Sequence, residues 1–258
     1  MDFGRPKSGL GLGYADIGAA LREGRAMFAR MPTASVAYAS VFTLFGLVVL
    51  TTIGILGFSP LALPISGGFM LLGPIFLTGY FELARQYSQG TDPRLSDAFA
   101  SFHIAPKGLW LIALVCAFLF MVWVTDAGIL HSFTLGGEHL YYDLAWVPEL
   151  GGSVLSFELW GSLMGSVIAY MIFALSAFSV PLIYERRCDA VQGIQLSVRT
   201  VVGNFPVCLV WGLVLSGSIV LSILLLPLLL LTLPVMSYAS FALYRRAFPL
   251  VPSGMSRG

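Results

Sequence analysis

The sequence GFMLLGPIFLTGYFELAR, residues 68–85, decides the fold of this chain. It is apolar along most of its length, contains one Gly-Pro step at Gly73-Pro74, and carries an acid and a base near its end, Glu82 and Arg85. About twenty apolar residues in a helix span the hydrocarbon core of a bilayer, which is roughly 30 Å thick. The stretch therefore predicts a transmembrane helix whose last turn carries its charges to one membrane surface.

A similar ending, in which a proline is followed by an aromatic residue and charges, occurs twice more. Pro181 precedes the sequence YERR at 184–187, and Pro234 precedes YRR at 244–246. Proline interrupts the hydrogen bonds of a helix, so it either kinks a span for packing or marks a discontinuous span at a transported substrate. Both interpretations apply to the predicted helix-kink positions, which are Gly73, Pro74, Pro181 and Pro234.

The composition is that of an integral membrane protein. Of the 258 residues, 57% are hydrophobic and 10% are charged, whereas soluble domains carry about 25% charged residues. So few charges exclude an ordinary soluble domain, and we expect no nucleic acid as a partner. Apolar segments long enough to span a membrane lie at 34–57, 64–86, 108–130, 159–183, 205–225 and 226–246.

The charges are distributed as the positive-inside rule requires. If the N-terminus is cytoplasmic and six segments span the membrane, all 14 Lys and Arg residues fall on the cytoplasmic side. Both termini are therefore predicted to be cytoplasmic. The basic residues are Arg5, Lys7, Arg22, Arg25, Arg30, Arg85, Arg94, Lys107, Arg186, Arg187, Arg199, Arg245, Arg246 and Arg257. The acids on the external side are Asp126, Glu138, Asp143, Glu149 and Glu158.

Each pair of spans is preceded by a short amphipathic segment that ends near a proline. Such segments lie on a membrane surface, with an apolar stripe in the lipid and basic residues directed at lipid phosphates. The three segments end near Pro32, Pro106 and Pro206. Their predicted apolar stripes are Tyr14, Ile17, Leu21, Phe28 and Met31; Leu95, Ala98, Phe99 and Phe102; and Val191, Ile194, Val198, Val202 and Phe205.

These patterns predict an all-α polytopic membrane protein. Its six transmembrane helices form three helical hairpins, and each hairpin is preceded by a cytoplasmic amphipathic helix. Residues 1–13 are predicted to be a flexible N-terminal lead, residues 14–248 the six-span membrane domain, and residues 249–258 a C-terminal tail.

A polar cluster is predicted at the cytoplasmic ends of the spans. Its members are Glu82, Arg85, Glu185, Arg186 and Asp189. Ionisable residues near a membrane are costly unless they are paired or hydrated. The cluster is therefore either a set of Glu–Arg pairs that pins the hairpins together, or the lining of a polar cavity for a proton or an anionic headgroup.

The sequence contains no motif of the common catalytic or cofactor sites. Its histidines, His103, His131 and His139, lie outside the centres of the predicted spans, and its cysteines have no CxxC spacing. Haem and metal centres need convergent ligands, and the phosphate loop, the GxSxG elbow and the HExxH helix are missing from the sequence. We therefore predict no catalytic residue, no metal site and no cofactor, in a protein that is not an enzyme.

The motifs resemble those of a bacterial integral-membrane family, domain of unknown function 2189, over residues 30–248. The family's Gly-Phe, Gly-Pro and Gly-Leu-Tyr-Glu-x-Ser-Arg elements are matched at Gly68, Phe69, Gly73, Pro74, Gly79, Glu82 and Arg85, with Phe81 and Ala84 in place of the tyrosine and serine. Its Pro, Asp-Arg-x-x-Asp and Ser elements are matched at Pro181, Arg186, Asp189 and Ser197, with Glu185 in place of the first Asp. Its last element is matched at Pro234, Tyr244 and Arg245, while Tyr238 and Ala242 stand where the family has histidines. The resemblance implies a multi-pass protein of the bacterial inner membrane and no particular reaction.

Three functions from different classes fit the sequence. The leading one is an accessory, assembly or lipid-organising component of the inner membrane, with membrane lipids and another membrane protein complex as candidate partners. The alternative is a small transporter or channel that uses the kinked helices and the polar cluster. An enzyme acting on lipid would need Glu185 and Asp189 as an acid–base pair.

Overall fold

The computed structural model describes residues 11–56, 59–135 and 152–249. Most of the predicted lead (1–13) and tail (249–258), and the external loop at 136–151, lie outside these ranges. Within them every regular element is a helix, as the sequence predicts. The helices are α1 (Tyr14–Arg30), α2 (Pro32–Leu56), α3 (Ser59–Ser88), α4 (Leu95–Ile104), α5 (Lys107–Leu135), α6 (Gly152–Ser176), α7 (Ser179–Tyr184), α8 (Ala190–Gly203), α9 (Phe205–Leu224) and α10 (Leu229–Ala247), with a 3₁₀ turn at Leu226–Leu228 between the last two.

Three helical stretches in the described ranges are long and apolar enough to cross a membrane. They are Lys107–Leu130, Leu159–Tyr184 and Phe205–Ser222. A fourth is counted if the bent pair Tyr14–Arg30 and Pro32–Val48, whose axes differ by 99°, is taken as one broken span. The outward faces of these stretches carry exposed large hydrophobic side chains, as expected for helices in contact with lipid.

The order of the elements repeats three times: a short amphipathic helix, a second helix, and a third helix that ends in charges. We call this third helix the returning helix, after the hairpin that the sequence predicts. Helix α4 packs on α3, α8 packs on α6 and α7, and α1 packs on α10. Each amphipathic helix therefore contacts the returning helix of the preceding unit, and the first unit contacts the last, which closes the arrangement into a ring. We call the end of the bundle where these contacts gather the charged end.

Helix α1 approaches α10 most closely at a glycine. A Cβ on Gly24 would lie 2.7 Å from the backbone oxygen of Val235 and 2.8 Å from the backbone nitrogen of Ala239. The buried residues of α1 are Ile17, Ala20, Gly24 and Met27. Of the stripe that was predicted to lie in the lipid, Tyr14 is 60% exposed, but Ile17 and Met31 are buried in the protein, because the small residues beside them let the two helices approach.

Helix α8 shows the same division of faces. Gly193, Ser197 and Thr200 are buried against the bundle, whereas Val191 is 59% exposed and Val202 is 65% exposed. Small and hydroxyl-bearing residues and Val201 make the protein contact. Of the predicted stripe, Ile194 packs against the core, while Val191 and Val202 are left uncovered by the described part of the chain.

Helix α4 follows this pattern in a shorter form. Ala98 and Ser101 are buried, while Phe99 and Ile104 are exposed. The Ser101 hydroxyl lies 3.1 Å from the Thr78 hydroxyl of α3, and the Phe102 ring meets the Phe76 ring of α3 edge to face at 6.0 Å. The contact between α4 and α3 is therefore both polar and aromatic. All three amphipathic helices therefore carry apolar side chains that the described protein does not cover.

The returning helix of the second unit breaks at Ala177 and Phe178, between the end of α6 at Ser176 and the start of α7 at Ser179. Pro181, in the first turn of α7, has no N–H to donate to the carbonyl oxygen of Ala177. The Ser197 hydroxyl of α8 bridges the break: it accepts from the Phe178 N–H at 3.1 Å and donates to the Ala174 oxygen at 2.7 Å. A side chain from a neighbouring helix thereby satisfies the backbone groups that the break frees.

The other predicted kink positions lie within continuous helices. Gly73 and Pro74 are inside α3, and Pro234 is inside α10. Pro74 and Pro234 are both buried, so these prolines are accommodated in the packing of the bundle.

Candidate functional site

A cavity of about 440 Å³ opens at the charged end, where the last turns of α3, α7 and α10 meet. We call it the charged-end cavity. Its walls combine two glutamates and four arginines with a few neutral residues. The lining residues are Glu82, Arg85, Gln89, Ile104, Tyr184, Glu185, Arg186, Arg187 and Arg245.

Glu82 is the most enclosed acid of the cavity wall, with 4% of its surface exposed. Its carboxylate accepts from Arg85 Nε at 2.9 Å and Arg85 Nη2 at 2.6 Å, and from Gln86 Nε2 at 3.0 Å. A fourth hydrogen bond comes from the Tyr184 hydroxyl at 2.7 Å. The first three donors belong to α3 itself, while Tyr184 belongs to the next unit, so Glu82 ties the ends of two units together.

Glu185 makes the corresponding contact with the third unit. Its carboxylate accepts from the Tyr244 hydroxyl at 2.6 Å and from Arg245 Nη2 at 2.5 Å. In each case a tyrosine in the last turn of one returning helix donates to the glutamate of the preceding unit. The repeated aromatic-then-charge ending is therefore a repeated contact between successive units.

Arg187 fastens the end of α10 to the turn that follows α7. Its Nη1 donates to the Phe248 oxygen at 2.6 Å and to the Tyr244 hydroxyl at 3.1 Å, and its Nη2 donates to the Pro249 oxygen at 3.2 Å. The guanidinium also lies 5.8 Å from the centre of the Tyr244 ring. These partners are neutral, so hydrogen bonds and a cation–π contact hold this charge in place.

Arg186 stands in an unusual backbone conformation, with φ at +55°. Its N–H donates to the Ile183 oxygen at 2.9 Å, and the Arg187 N–H donates to the Leu182 oxygen at 3.0 Å. This pair of bonds is the Schellman motif that ends a helix, and glycine is the usual residue at the position that Arg186 occupies. The Arg186 side chain makes one long contact, from Nη2 to the Ile104 oxygen at 3.4 Å.

Four of the five residues of the predicted polar cluster line the cavity, and Asp189 does not. Asp189 is exposed and caps α8, because its carboxylate accepts from the Gln192 N–H at 2.8 Å. The predicted cluster omitted Arg187, Arg245 and the two donating tyrosines. The recurrence of the aromatic-then-charge ending was the signal that could have added them.

The turn after α7 also carries Cys188, which is partly buried. Burial, together with the nearby negative charge of Asp189, raises the pKa of this thiol from its ordinary value of 9.0 to about 11. The thiol is therefore a poor nucleophile at neutral pH. Across the residues that the structure describes, no three His, Cys, Asp or Glu side chains are grouped in a way that could hold a metal ion.

Comparison with known proteins finds one family. Residues 62–185 match the family model described as "Predicted integral membrane protein (DUF2189)". This segment runs from α3 to Glu185, so it contains both glutamates of the cavity. It confirms the family that the sequence motifs predict. No curated protein and no solved structure matches the chain.

Proposed function

We propose that this chain, whose residues 62–185 match the integral-membrane family DUF2189, binds and organises membrane lipid through its three amphipathic helices. We call these helices, α1, α4 and α8, the collar. In this proposal the protein is a six-span, non-enzymatic component of the bacterial inner membrane with both termini in the cytoplasm. An accessory or assembly role would use the same lipid-facing surface.

The observation that carries the proposal is the division of faces on the collar. Small residues lie among those that contact the bundle, and apolar residues such as Val191, Val202 and Phe99 are exposed. An apolar side chain at a bilayer surface is stabilised by roughly 25 cal/mol for each Å² it buries in the acyl chains. The exposed apolar residues are thus suited to lie in the acyl region while the opposite faces stay packed on the bundle.

Arginines accompany these stripes. Arg22 and Arg25 on α1 and Arg199 on α8 are all exposed. Basic residues at an anionic membrane surface each contribute about 1 kcal/mol to binding. A collar with both features would favour anionic over zwitterionic lipids around the protein.

The six-span arrangement assigns α2, α3, α5, the α6–α7 pair, α9 and α10 to the membrane. Helix α10 is the least apolar of these in its second half, where it contains Ser237, Tyr238 and Ser240. It contacts α1, α2, α3 and α9, and Ser237 and Tyr238 are buried. A span that neighbouring helices shield from lipid can carry hydroxyl groups, because those groups find partners inside the bundle.

The test measures which lipids the protein retains. The full chain is reconstituted in nanodiscs of mixed phosphatidylglycerol and phosphatidylcholine, and the lipids held after extraction in mild detergent are quantified by mass spectrometry. We expect phosphatidylglycerol to be enriched. The triple variant Arg22→Gln, Arg25→Gln and Arg199→Gln should lose most of this enrichment, while the matched triple Arg→Lys variant should keep it.

Two results would refute the lipid-organising role. One is a wild-type protein that retains no more phosphatidylglycerol than the bulk mixture contains. The other is a triple glutamine variant with unchanged enrichment. A protein that carries a stoichiometric membrane partner through the same extraction would support the accessory role.

A transporter or channel is the second candidate, and the charged-end cavity favours it. The cavity opens at the end of the bundle beside the broken α6–α7 helix, and both glutamates of its wall are hydrogen-bonded between units. Ion or substrate flux in liposomes should then change in Glu82→Gln and in Glu185→Gln. Flux that is indifferent to both substitutions would remove this candidate.

A further inference from the structure

We propose that the charged-end cavity is a binding site for a phosphate group, formed by Arg85, Arg186, Arg187 and Arg245. The site deepens the proposed function and rests on it, since the headgroup of an anionic lipid is one source of such a group. A soluble phosphate ester is the other source, and it presents the same tetrahedral set of oxygens.

The first argument is charge. The cavity wall carries four arginines and two glutamates, so its formal charge is 4 − 2 = +2. Both carboxylates are already engaged: Glu82 with Arg85, and Glu185 with Arg245. Arg186 and Arg187 make no ion pair with any acid in the described ranges. Two positive charges in one cavity are therefore uncompensated, and such a cavity attracts an anion.

The second argument is the backbone of Arg186. Its positive φ disfavours any residue with a side chain, and glycine would fill this helix-ending position without strain. Strained residues persist where the surrounding structure holds them, and they are frequent at ligand sites. The side chain placed there gains little from the protein, since its one contact is a 3.4 Å hydrogen bond to Ile104. A ligand in the cavity would give the Arg186 guanidinium the partner that it lacks.

The third argument is hydrogen-bond capacity. The Nε of Arg245 is buried and has no hydrogen-bond partner among the described residues, so the wall contains a donor without an acceptor. Arginine forks match the geometry of phosphate and carboxylate oxygens. The cavity is surrounded by arginines from α3, from the turn after α7 and from α10. A tetrahedral phosphate offers more hydrogen-bond acceptor sites to several guanidinium groups than a planar carboxylate does. The volume of about 440 Å³ lies within the usual range of small-ligand sites, about 300–1,000 Å³.

The experiment titrates the full-length protein, purified in a neutral detergent, with three probes. They are inorganic phosphate, short-chain phosphatidylglycerol, and short-chain phosphatidylcholine as the zwitterionic comparison. Binding is measured by calorimetry and, for the lipids, by native mass spectrometry. Arg186→Gly removes the charge and the backbone strain together, whereas Arg186→Gln removes only the charge. Arg94→Gln removes an exposed arginine just before α4, outside both the cavity and the collar helices, and is the matched control.

We expect the wild-type protein to bind phosphatidylglycerol or inorganic phosphate more tightly than phosphatidylcholine. Both Arg186 variants should bind at least tenfold more weakly, and Arg94→Gln should change affinity by less than twofold. Binding of phosphatidylglycerol alone identifies a lipid headgroup, and binding of inorganic phosphate as well identifies a soluble phosphate. The proposal is overturned if the wild-type protein binds neither anion, if the Arg186 variants bind like wild type, or if Arg94→Gln weakens binding equally.

The cavity proposal and the proposed function of the collar can be refuted independently of each other. Lipid enrichment that depends on Arg22, Arg25 and Arg199, together with unchanged binding in the Arg186 variants, would overturn the cavity site and leave the proposed function standing. Phosphate binding that depends on Arg186, in a protein that enriches no lipid, would support the cavity and overturn the lipid-organising role.

Discussion

Replacing Ser197 by alanine should destabilise the protein far more than the loss of one hydroxyl suggests. Ser197 is fully buried and sits at the break before Pro181, where it accepts from Phe178 N–H at 3.1 Å and donates to the Ala174 oxygen at 2.7 Å. Alanine would leave one buried backbone donor and one buried backbone acceptor without partners. Each unsatisfied group costs about 1–3 kcal/mol, and closure of the turn would recover part of that, so we expect a net loss of about 2 kcal/mol.

The assay is SDS-titrated or thermal unfolding of the purified full chain in one detergent, with Ser166→Ala as the matched control. Ser166 also lies on α6, but it is exposed and donates only to the Ser162 oxygen within its own helix, so its loss should cost less than about 0.5 kcal/mol. If Ser197→Ala and Ser166→Ala unfold together, the account of how the broken helix is held would be wrong.

Three further predictions follow from the packing and the charges. Gly24→Ala should destabilise the protein by about 1–3 kcal/mol, because the added Cβ would overlap the backbone of α10. In the control Gly18→Ala the added Cβ would meet only Arg22 Nη1 at 3.6 Å, so this variant should be stabilised by about 0.5–1 kcal/mol through helix propensity. Equal unfolding midpoints for the two variants would contradict this packing. Glu82→Gln should lower the free energy of unfolding by about 2 kcal/mol, because the new amide NH₂ would face the hydrogen-bond donors of Arg85 and Tyr184. The control Glu23→Gln loses an exposed ion pair of 3.3 Å and should lower it by less than about 0.5 kcal/mol. The same unfolding assay compares the two variants. Cys188 should react with maleimide about a hundredfold more slowly at pH 7–8 than a thiol of ordinary pKa, because its pKa of about 11 leaves about a hundredfold less thiolate. The reaction rate should keep rising with pH up to about pH 11. A rate that levels off near pH 9 would show that the pKa of this thiol is not raised.

The sequence predicts the helices well because long apolar runs, prolines and charge clusters are local signals. Each of the six predicted spans overlaps a helix in the structure, and so does each of the three amphipathic segments. In the described residues, however, only the third, fourth and fifth predicted spans are by themselves long and apolar enough to cross a membrane. The way the helices pack was harder to predict. The contact of α1 with α10 depends on Gly24 and Ala20, and glycine and alanine leave little trace in an apolar pattern. The burial of Ile17 and Met31, which were predicted to lie in the lipid, has the same origin.

The residues of the candidate site could be predicted in part, because charges beside apolar runs are also local signals. Glu82, Arg85, Glu185 and Arg186 stand out as charges beside apolar runs, and all four line the cavity. Asp189 has the same local appearance, yet it caps α8. The hydroxyl contact of Tyr184 joins residues 102 positions apart in the chain, and that of Tyr244 joins residues 59 positions apart. Only the tertiary arrangement shows which charge meets which tyrosine.

Thiol labelling of the two ends of the bundle tests the central claim most directly. In a background with the native cysteines replaced, one cysteine is introduced at Gly90, in the turn after α3, and another at Gly137, in the predicted external loop. We expect a membrane-impermeant maleimide to label Gly137→Cys in intact spheroplasts, and Gly90→Cys only after the membrane is opened. Labelling of Gly90→Cys in intact spheroplasts would place the charged end outside the cytoplasm and contradict the six-span arrangement, the collar and the cavity proposal together.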